Sequence, residues 1–203
     1  MQRLLLATTN PAKERELRRL VEGLPLALVA PRDVGLSLDV PEEEPTHQGN
    51  ARAKAVAYSR AAGTLSLASD GGLVIPALGD AWEGLRTHRF AGDVGDLAKA
   101  RELLRRMKSQ TGEKRRIFWR EALVVAEAGR VLASWEVEGS HGYLAEGVDP
   151  SRMAPGFWVA GIWLFPQLGK TYGELDEGER RLVDDHWTRL RPLVQEFLRG
   201  YLA

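Results

Sequence analysis

The sequence predicts an α/β fold, with two lobes around a long mixed twisted β-sheet, flanking helices and a cleft between the lobes. Three observations predict it. The first sixty residues alternate apolar runs with stretches of 3.6-residue periodicity, the strand-helix-strand-helix opening of an α/β sheet. The middle segment "RRIFWREALVVAEAGRVLASWEVEG" (115–139) changes to two long strands meeting at Ala128-Gly129, a β-hairpin signal. The chain then closes on "DEGERRLVDDHWTRLRPLVQEFLRGYL" (176–202), read as one amphipathic helix. At 203 residues, one domain spanning 1–203 can bury a core that needs no covalent staples.

Each element follows from local chemistry. In "LLLATTNPAKERELRRL" (4–20), Leu4 to Ala7 form a buried strand that breaks at Thr8, Thr9, Asn10 and Pro11. Asn10 is a helix N-cap, Pro11 suits the first helical position, and Leu17, Leu20 and Val21 fall on one helix face. The N–H groups of that helix start, with Lys13 in the first turn, suit an anion such as phosphate; an ordinary connection with a solvated Lys13 is the plainer alternative. A second strand, "LALVA" (26–30), leads into the Pro- and acid-rich loop "PRDVGLSLDVPEEEP" (31–45), and long loops are often functional. The next helix runs from Thr46 as N-cap to Gly63 as its stop. On it His47, Asn50 and Lys54 share a face that can hold a second phosphate or simply face water, the alanines packing the other side. "TLSLASD" (64–70) is a strand entering a "GG" turn, with a short apolar run at Leu73 to Ala77 beyond it. Asp70 thus closes a strand where backbone and ligand can approach closely, as a general base, a metal ligand or an ordinary turn residue. "GDLAKARELLRRMK" (95–108) is a further amphipathic helix.

Composition excludes several classes. Without Cys there are no disulfides, thiolate metal sites or Cys nucleophile. Twenty-eight basic residues balance twenty-eight acidic ones, so no global field draws nucleic acid or anionic membrane. No apolar stretch approaches the roughly 20 residues of a membrane span, and a soluble cytoplasmic protein is expected. "LGKT" (168–171) is not a phosphate-binding P-loop, because Leu164 stands where its first Gly belongs. Four scattered His residues have no zinc-site spacing, and there is no G-x-S-x-G elbow. Phe157, Trp158 and Trp163 form an aromatic cluster, either core or a surface for stacking a base.

Taken in order, "ATTNPAKERELRRL", "NARAKA" after an acidic loop, "ASDGGL", "HRFAG", "GFWVAGIWLFPQLGKTYGEL" and the acid-rich last helix resemble the inosine triphosphate pyrophosphatase family over essentially the whole chain. The resemblance implies a two-lobed α/β fold, usually a homodimer, with a Mg²⁺-bound nucleoside triphosphate between the lobes. It also implies water attack on the α-phosphorus of noncanonical purine nucleoside triphosphates, giving monophosphate and pyrophosphate. By matching position, Thr8, Asn10, Lys13, Asn50 and Lys54 hold the triphosphate, and Asp70 activates water and binds metal. Phe157 stacks on the base, while Lys170, Asp185 and His186 lie near the nucleotide.

The departures concentrate in the chemistry. The family's acid before the Asn of the second helix is Gly49, and the first Asp of its Asp-Asp-Ser-Gly-Leu motif is Ser69; both lost groups serve the metal. Asp70, the substrate phosphates and one of Glu42 to Glu44 remain to hold Mg²⁺. The Phe-Gly-Tyr-Asp-Pro segment reads "FWVAG", replacing a base-reading Asp by Ala160 and a Gly by Trp158. The Ser-His-Arg signature reads Asp184-Asp185-His186. The expectation is an enzyme of altered or relaxed base preference; the alternative is a catalytically silent nucleotide-binding or partner subunit.

Overall fold

The computed structural model describes residues 1–153 and 156–203. Its strands are β1 (Gln2–Leu6), β2 (Leu26–Val29), β3 (Leu65–Val74), β4 (Arg116–Glu127), β5 (Arg130–Leu144), β6 (Trp163–Phe165) and β7 (Lys170–Thr171). The helices are α1 (Pro11–Leu20), α2 (His47–Ala62), α3 (Asp96–Arg106), α4 (Glu177–Leu182) and α5 (His186–Leu202). The strands form one seven-stranded sheet in the order β2-β1-β3-β4-β5-β6-β7. It is mixed, as expected: β1 runs parallel to β2 and β3, whereas β5, β6 and β7 pair antiparallel. Among the described residues no helix is long and apolar enough to cross a membrane.

The chain divides into two compact units, the first comprising Met1–Gly71, Glu121–Val137 and Trp187–Ala203 and the second Gly72–Arg120 and Glu138–His186. In the first unit the sheet is covered on both faces. Leu4, Leu6, Leu65, Leu67, Leu123 and Val125 pack with Leu17 and Leu20 of α1 and Leu190, Val194 and Leu198 of α5. Leu5, Ala68, Ala122 and Val124 pack with Ala51, Ala55 and Tyr58 of α2. The alternation of odd and even positions is the strand period written in the core. The second unit buries an aromatic-rich core containing Trp119, Trp158, Trp163, Phe165 and Tyr172, with Leu103 and Met107 from the α3 region.

Two local expectations are corrected. The "GG" turn does not exist: Gly71 and Gly72 lie within β3, neither with positive φ, so Asp70 sits inside a ten-residue strand rather than at its end. Glycine's permissiveness was spent on extended backbone instead of a turn. The last helix is two helices, because Asp184 adopts φ 54° and the ladder restarts at His186. A left-handed residue cannot continue a right-handed helix. Lys170 and Thr171 form β7, an antiparallel strand, in keeping with the failed P-loop pattern.

Candidate active site

The first unit carries the phosphate-type residues. β1 ends at Leu6, paired with Leu67, while β3 continues for seven more residues. Asp70 therefore lies past the end of β1, on the side of the sheet where the starts of α1 and α2 stand. Ligands in open α/β sheets bind beyond carboxyl strand ends. Thr8 Oγ1 accepts the Asn10 N–H at 3.1 Å, and Asn10 Oδ1 accepts those of Ala12 (2.8 Å) and Lys13 (3.4 Å). The cap is thus made by Asn10 itself, which corrects the expectation of free N–H groups at this helix start. What the turn offers an anion is the dipole, the Thr8 hydroxyl and the Lys13 ammonium. Lys13 stands 3.9 Å from Glu121 of β4, a carboxylate the sequence reading passed over although strand alternation places it on the apolar face of Leu123 and Val125.

α2 delivers three side chains to one carboxylate. Thr46 Oγ1 caps the helix by accepting the Gly49 N–H at 3.0 Å, which fixes where the first turn begins. His47 Nδ1 lies 2.7 Å and Asn50 Nδ2 3.3 Å from Asp70 Oδ2, and Lys54 Nζ lies 3.1 Å from Asp70 Oδ1. The predicted shared face of His47, Asn50 and Lys54 is real, and it points at Asp70. Lys54 also donates to Glu42 at 3.0 Å, which singles out Glu42 among the three acids of the loop. Gly49 makes this approach possible: a Cβ there would lie 2.7 Å from Glu44 Cβ, and the Glu44 N–H is held by Asn50 Oδ1 at 3.0 Å.

The electrostatics follow from this crowding. Burial alone pushes the Asp70 carboxyl up, but the His47 hydrogen bond and the charges of Lys13, Lys54 and His47 outweigh it and hold it well below the usual carboxylate range. Asp70 is therefore a permanent acceptor, suited to orienting water, ammonium or metal and a weak group for retaining a proton. Burial pushes Lys54 down, and Asp70 and Glu42 more than restore it, so it stays charged. Among the described residues no three His, Asp or Glu side chains converge as a metal site.

The second unit holds the remaining candidates. Phe157 meets Trp119 (5.1 Å, 85°) and Tyr172 (5.6 Å, 84°) edge to face. Lys170 Nζ is 2.5 Å from Glu179 Oε1. Asp185 is fully buried and accepts from Ser140 (3.1 Å) and Tyr172 (2.8 Å), while His186 Nδ1 meets Ser140 Oγ at 3.0 Å and its ring lies nearly parallel to Trp163 and Tyr172. Trp158 is core, stacked on Phe90 and donating its indole N–H to the Thr87 carbonyl at 3.1 Å.

Residues 4–193 match the model of the Ham1 family. The chain belongs to that family. This Ham1-family chain is 34% identical to the dITP/XTP pyrophosphatase of Anaeromyxobacter sp., over 97% of its own length and 98% of the relative's. It is 33% identical to the dITP/XTP pyrophosphatase of Thermus thermophilus, over 98% and 93% of the two chains. Its fold resembles a HAM1 protein from Coxiella burnetii (TM-score 0.81, 24% identity, 98% and 100% covered). It is also similar to the nucleoside-triphosphatase / dITP/XTP pyrophosphatase from Mycobacterium abscessus (TM-score 0.69, 28% identity, 95% and 97% covered).

Proposed function

We propose that this chain hydrolyses noncanonical purine nucleoside triphosphates to nucleoside monophosphate and pyrophosphate. The observation that carries the reading is the buried Asp70 carboxylate held by His47, Asn50 and Lys54 beside the Thr8–Lys13 helix start. A phosphoryl reaction needs this assembly: cations to take charge from the phosphate oxygens and a fixed carboxylate to order the nucleophile. Water attacks the α-phosphorus with Asp70 accepting its hydrogen bond, and the proton the water loses passes on to solvent. The bond from the α-phosphorus to the α,β-bridging oxygen breaks, and pyrophosphate leaves with the electron pair. Thr8, Asn10, Lys13, Asn50 and Lys54 hold the phosphates in the first unit. In the second unit Phe157 and Lys170 are the candidates for contact with the nucleoside; Asp185 and His186, expected there from the resemblance, are buried and engaged with Ser140 and are not assigned to it.

The formal charges around Asp70 bear on the cofactor. Lys13 and Lys54 give two positive charges; Glu42, Asp70 and Glu121 give three negative ones. These five groups alone offer a triphosphate little net attraction, and Mg²⁺ carried with the triphosphate would supply positive charge and polarise the phosphoryl oxygens. Glu42 Oε1 and Asp70 Oδ1, hard oxygens both within 3.1 Å of Lys54 Nζ, are the residues to hold it. The set fits Mg²⁺, which commonly takes one or two carboxylates plus substrate oxygens. The homodimer belongs to the same reading and is checked by sedimentation. The functional test is pyrophosphate release with Mg²⁺ over a panel of nucleotides; release of orthophosphate alone, or no turnover, overturns the reading.

A further inference from the structure

We propose that His47 is a positioning residue of the reaction, fixing the plane of the Asp70 carboxylate through its Nδ1–H. The inference rests on the pyrophosphatase reading above. An aspartate's last torsion is soft, so its partners decide where its oxygens point. Asp70 has three. Lys54 is a point charge on a flexible stem and tolerates many carboxylate orientations. Asn50 makes a long contact at 3.3 Å. His47 makes the short one, 2.7 Å from a ring that is itself buried to 5% exposure in the first turn of α2. The ring therefore sets the plane, and Lys54 and Asn50 follow.

The donor is assigned by chemistry. An ionised carboxylate has no proton to give, so the hydrogen in the short contact sits on Nδ1. Nδ1 is thus the donor in this contact whatever the charge of the ring, and Nε2 makes no hydrogen bond to another described residue. The charged groups around this pair come from every neighbouring element: Lys54 from α2, Lys13 from α1, Glu42 from the loop and Glu121 from β4. None of the four is hydrogen-bonded to or ion-paired with His47. An apolar ring of similar size fills the same volume, so packing alone does not require histidine here.

Three variants separate positioning from packing. His47→Phe keeps the bulk and removes the donor. His47→Asn is smaller but places an N–H where Nδ1 stands. His47→Ala removes both. Loss of a partner that orients an active-site ligand costs roughly 10–100-fold in activity. His47→Phe is expected to lose kcat in that range with KM within about threefold, and His47→Asn to recover most of the loss although its melting temperature is the lower of the two. In ¹⁵N-labelled wild-type protein, Nδ1 of His47 is expected to carry a proton, and Asp70→Ala to abolish that preference. Retention of kcat within about twofold in His47→Phe, equal loss in His47→Asn and His47→Phe, or an unprotonated Nδ1 overturns the assignment. Absence of pyrophosphate release in the wild-type protein instead overturns the functional reading, and the ¹⁵N measurement still decides the His47–Asp70 contact.

Discussion

Asp70 and Asp185 are both buried aspartates, and their neighbours give them different work. Asp70 faces two ammonium groups, an amide and an imidazole; Asp185 faces the hydroxyls of Ser140 and Tyr172. Asp70→Asn removes the charge that orders the nucleophile, and turnover is expected to fall roughly 10²–10⁴-fold with the fold retained, measured by single-turnover pyrophosphate release and circular dichroism. An unchanged rate removes Asp70 from the mechanism. Glu14 offers a pH test away from this chemistry. The Arg32 hydrogen bonds, at 2.6 and 2.8 Å, lower its carboxyl against the opposing effect of burial, and Arg18 adds to the lowering. A carboxyl lowered in the folded state stabilises fully above its ordinary value of 4.5 and loses that contribution as pH falls through the lowered one. Glu14→Gln is therefore expected to cost about 1 kcal/mol near pH 7, with the gap closing under acid, in denaturant titrations at several pH values. At this scale the sequence was informative about types and faces. The shared face of Asn50 and Lys54 was legible, because helix spacing is local, whereas the place of Asp70 inside β3 was not. That His47 binds Asp70, 23 residues away, was not, since contact across elements is fixed only by packing.

Elements show where local rules met tertiary ones. The hairpin joining β4 and β5 was legible from Ala128-Gly129, and both residues have positive φ, 48° and 79°. Alanine is a poor occupant of that region, whereas Asn-Gly suits a two-residue turn with two positive φ values. Ala128→Asn is expected to stabilise the protein by about 0.5–1 kcal/mol, read from thermal unfolding; a lowered melting temperature shows that the side chain has a role beyond the turn. The α4–α5 break was not legible. "VDDHW" carries no Gly or Pro, and the left-handed Asp184 is held from outside by its carbonyl accepting the Ser140 N–H at 2.9 Å. The start of α2 shows the opposite balance. Gly49 is a weak helix residue, and Ala there gains roughly 1 kcal/mol of propensity, but its Cβ meets Glu44 Cβ at 2.7 Å. Overpacking of that kind costs roughly 1–3 kcal/mol. Gly49→Ala is expected to gain no stability and to weaken Mg²⁺-nucleotide binding by displacing the loop that carries Glu42. Calorimetry with a non-hydrolysable triphosphate checks it; unchanged affinity removes Glu42 from the site.

At the scale of the molecule, each unit has its own core and its own set of candidate residues, and the second unit bears on base choice. An enzyme rejects a wrong base largely through the cost of leaving site donors and acceptors unpaired. Among the described residues of the second unit several such groups are absent or engaged, although the Trp163 indole N–H is buried without a hydrogen-bond partner. Ala160 has no polar side-chain atom, Trp158 spends its N–H on Thr87, and Tyr172 donates to Asp185. Asp185 also accepts from Ser140, whose oxygen meets His186 Nδ1. An ionised carboxylate accepts hydrogen bonds without donating them, so acids at 184 and 185 set against the base would favour bases presenting N–H groups. Asp185 does not support that mechanism, because it is enclosed by its hydroxyl donors. What remains for the base is chiefly aromatic surface, which every base satisfies about equally. Activity on inosine or xanthosine triphosphate is therefore expected alongside comparable activity on at least one ordinary triphosphate. Parallel kcat/KM values over inosine, xanthosine, guanosine, adenosine and deoxyuridine triphosphates decide it. A preference for inosine triphosphate of roughly a hundredfold, about 2.7 kcal/mol in the transition state, requires a donor or acceptor set against the purine edge, and this unit's polar side chains would then have to exchange their present partners for the base.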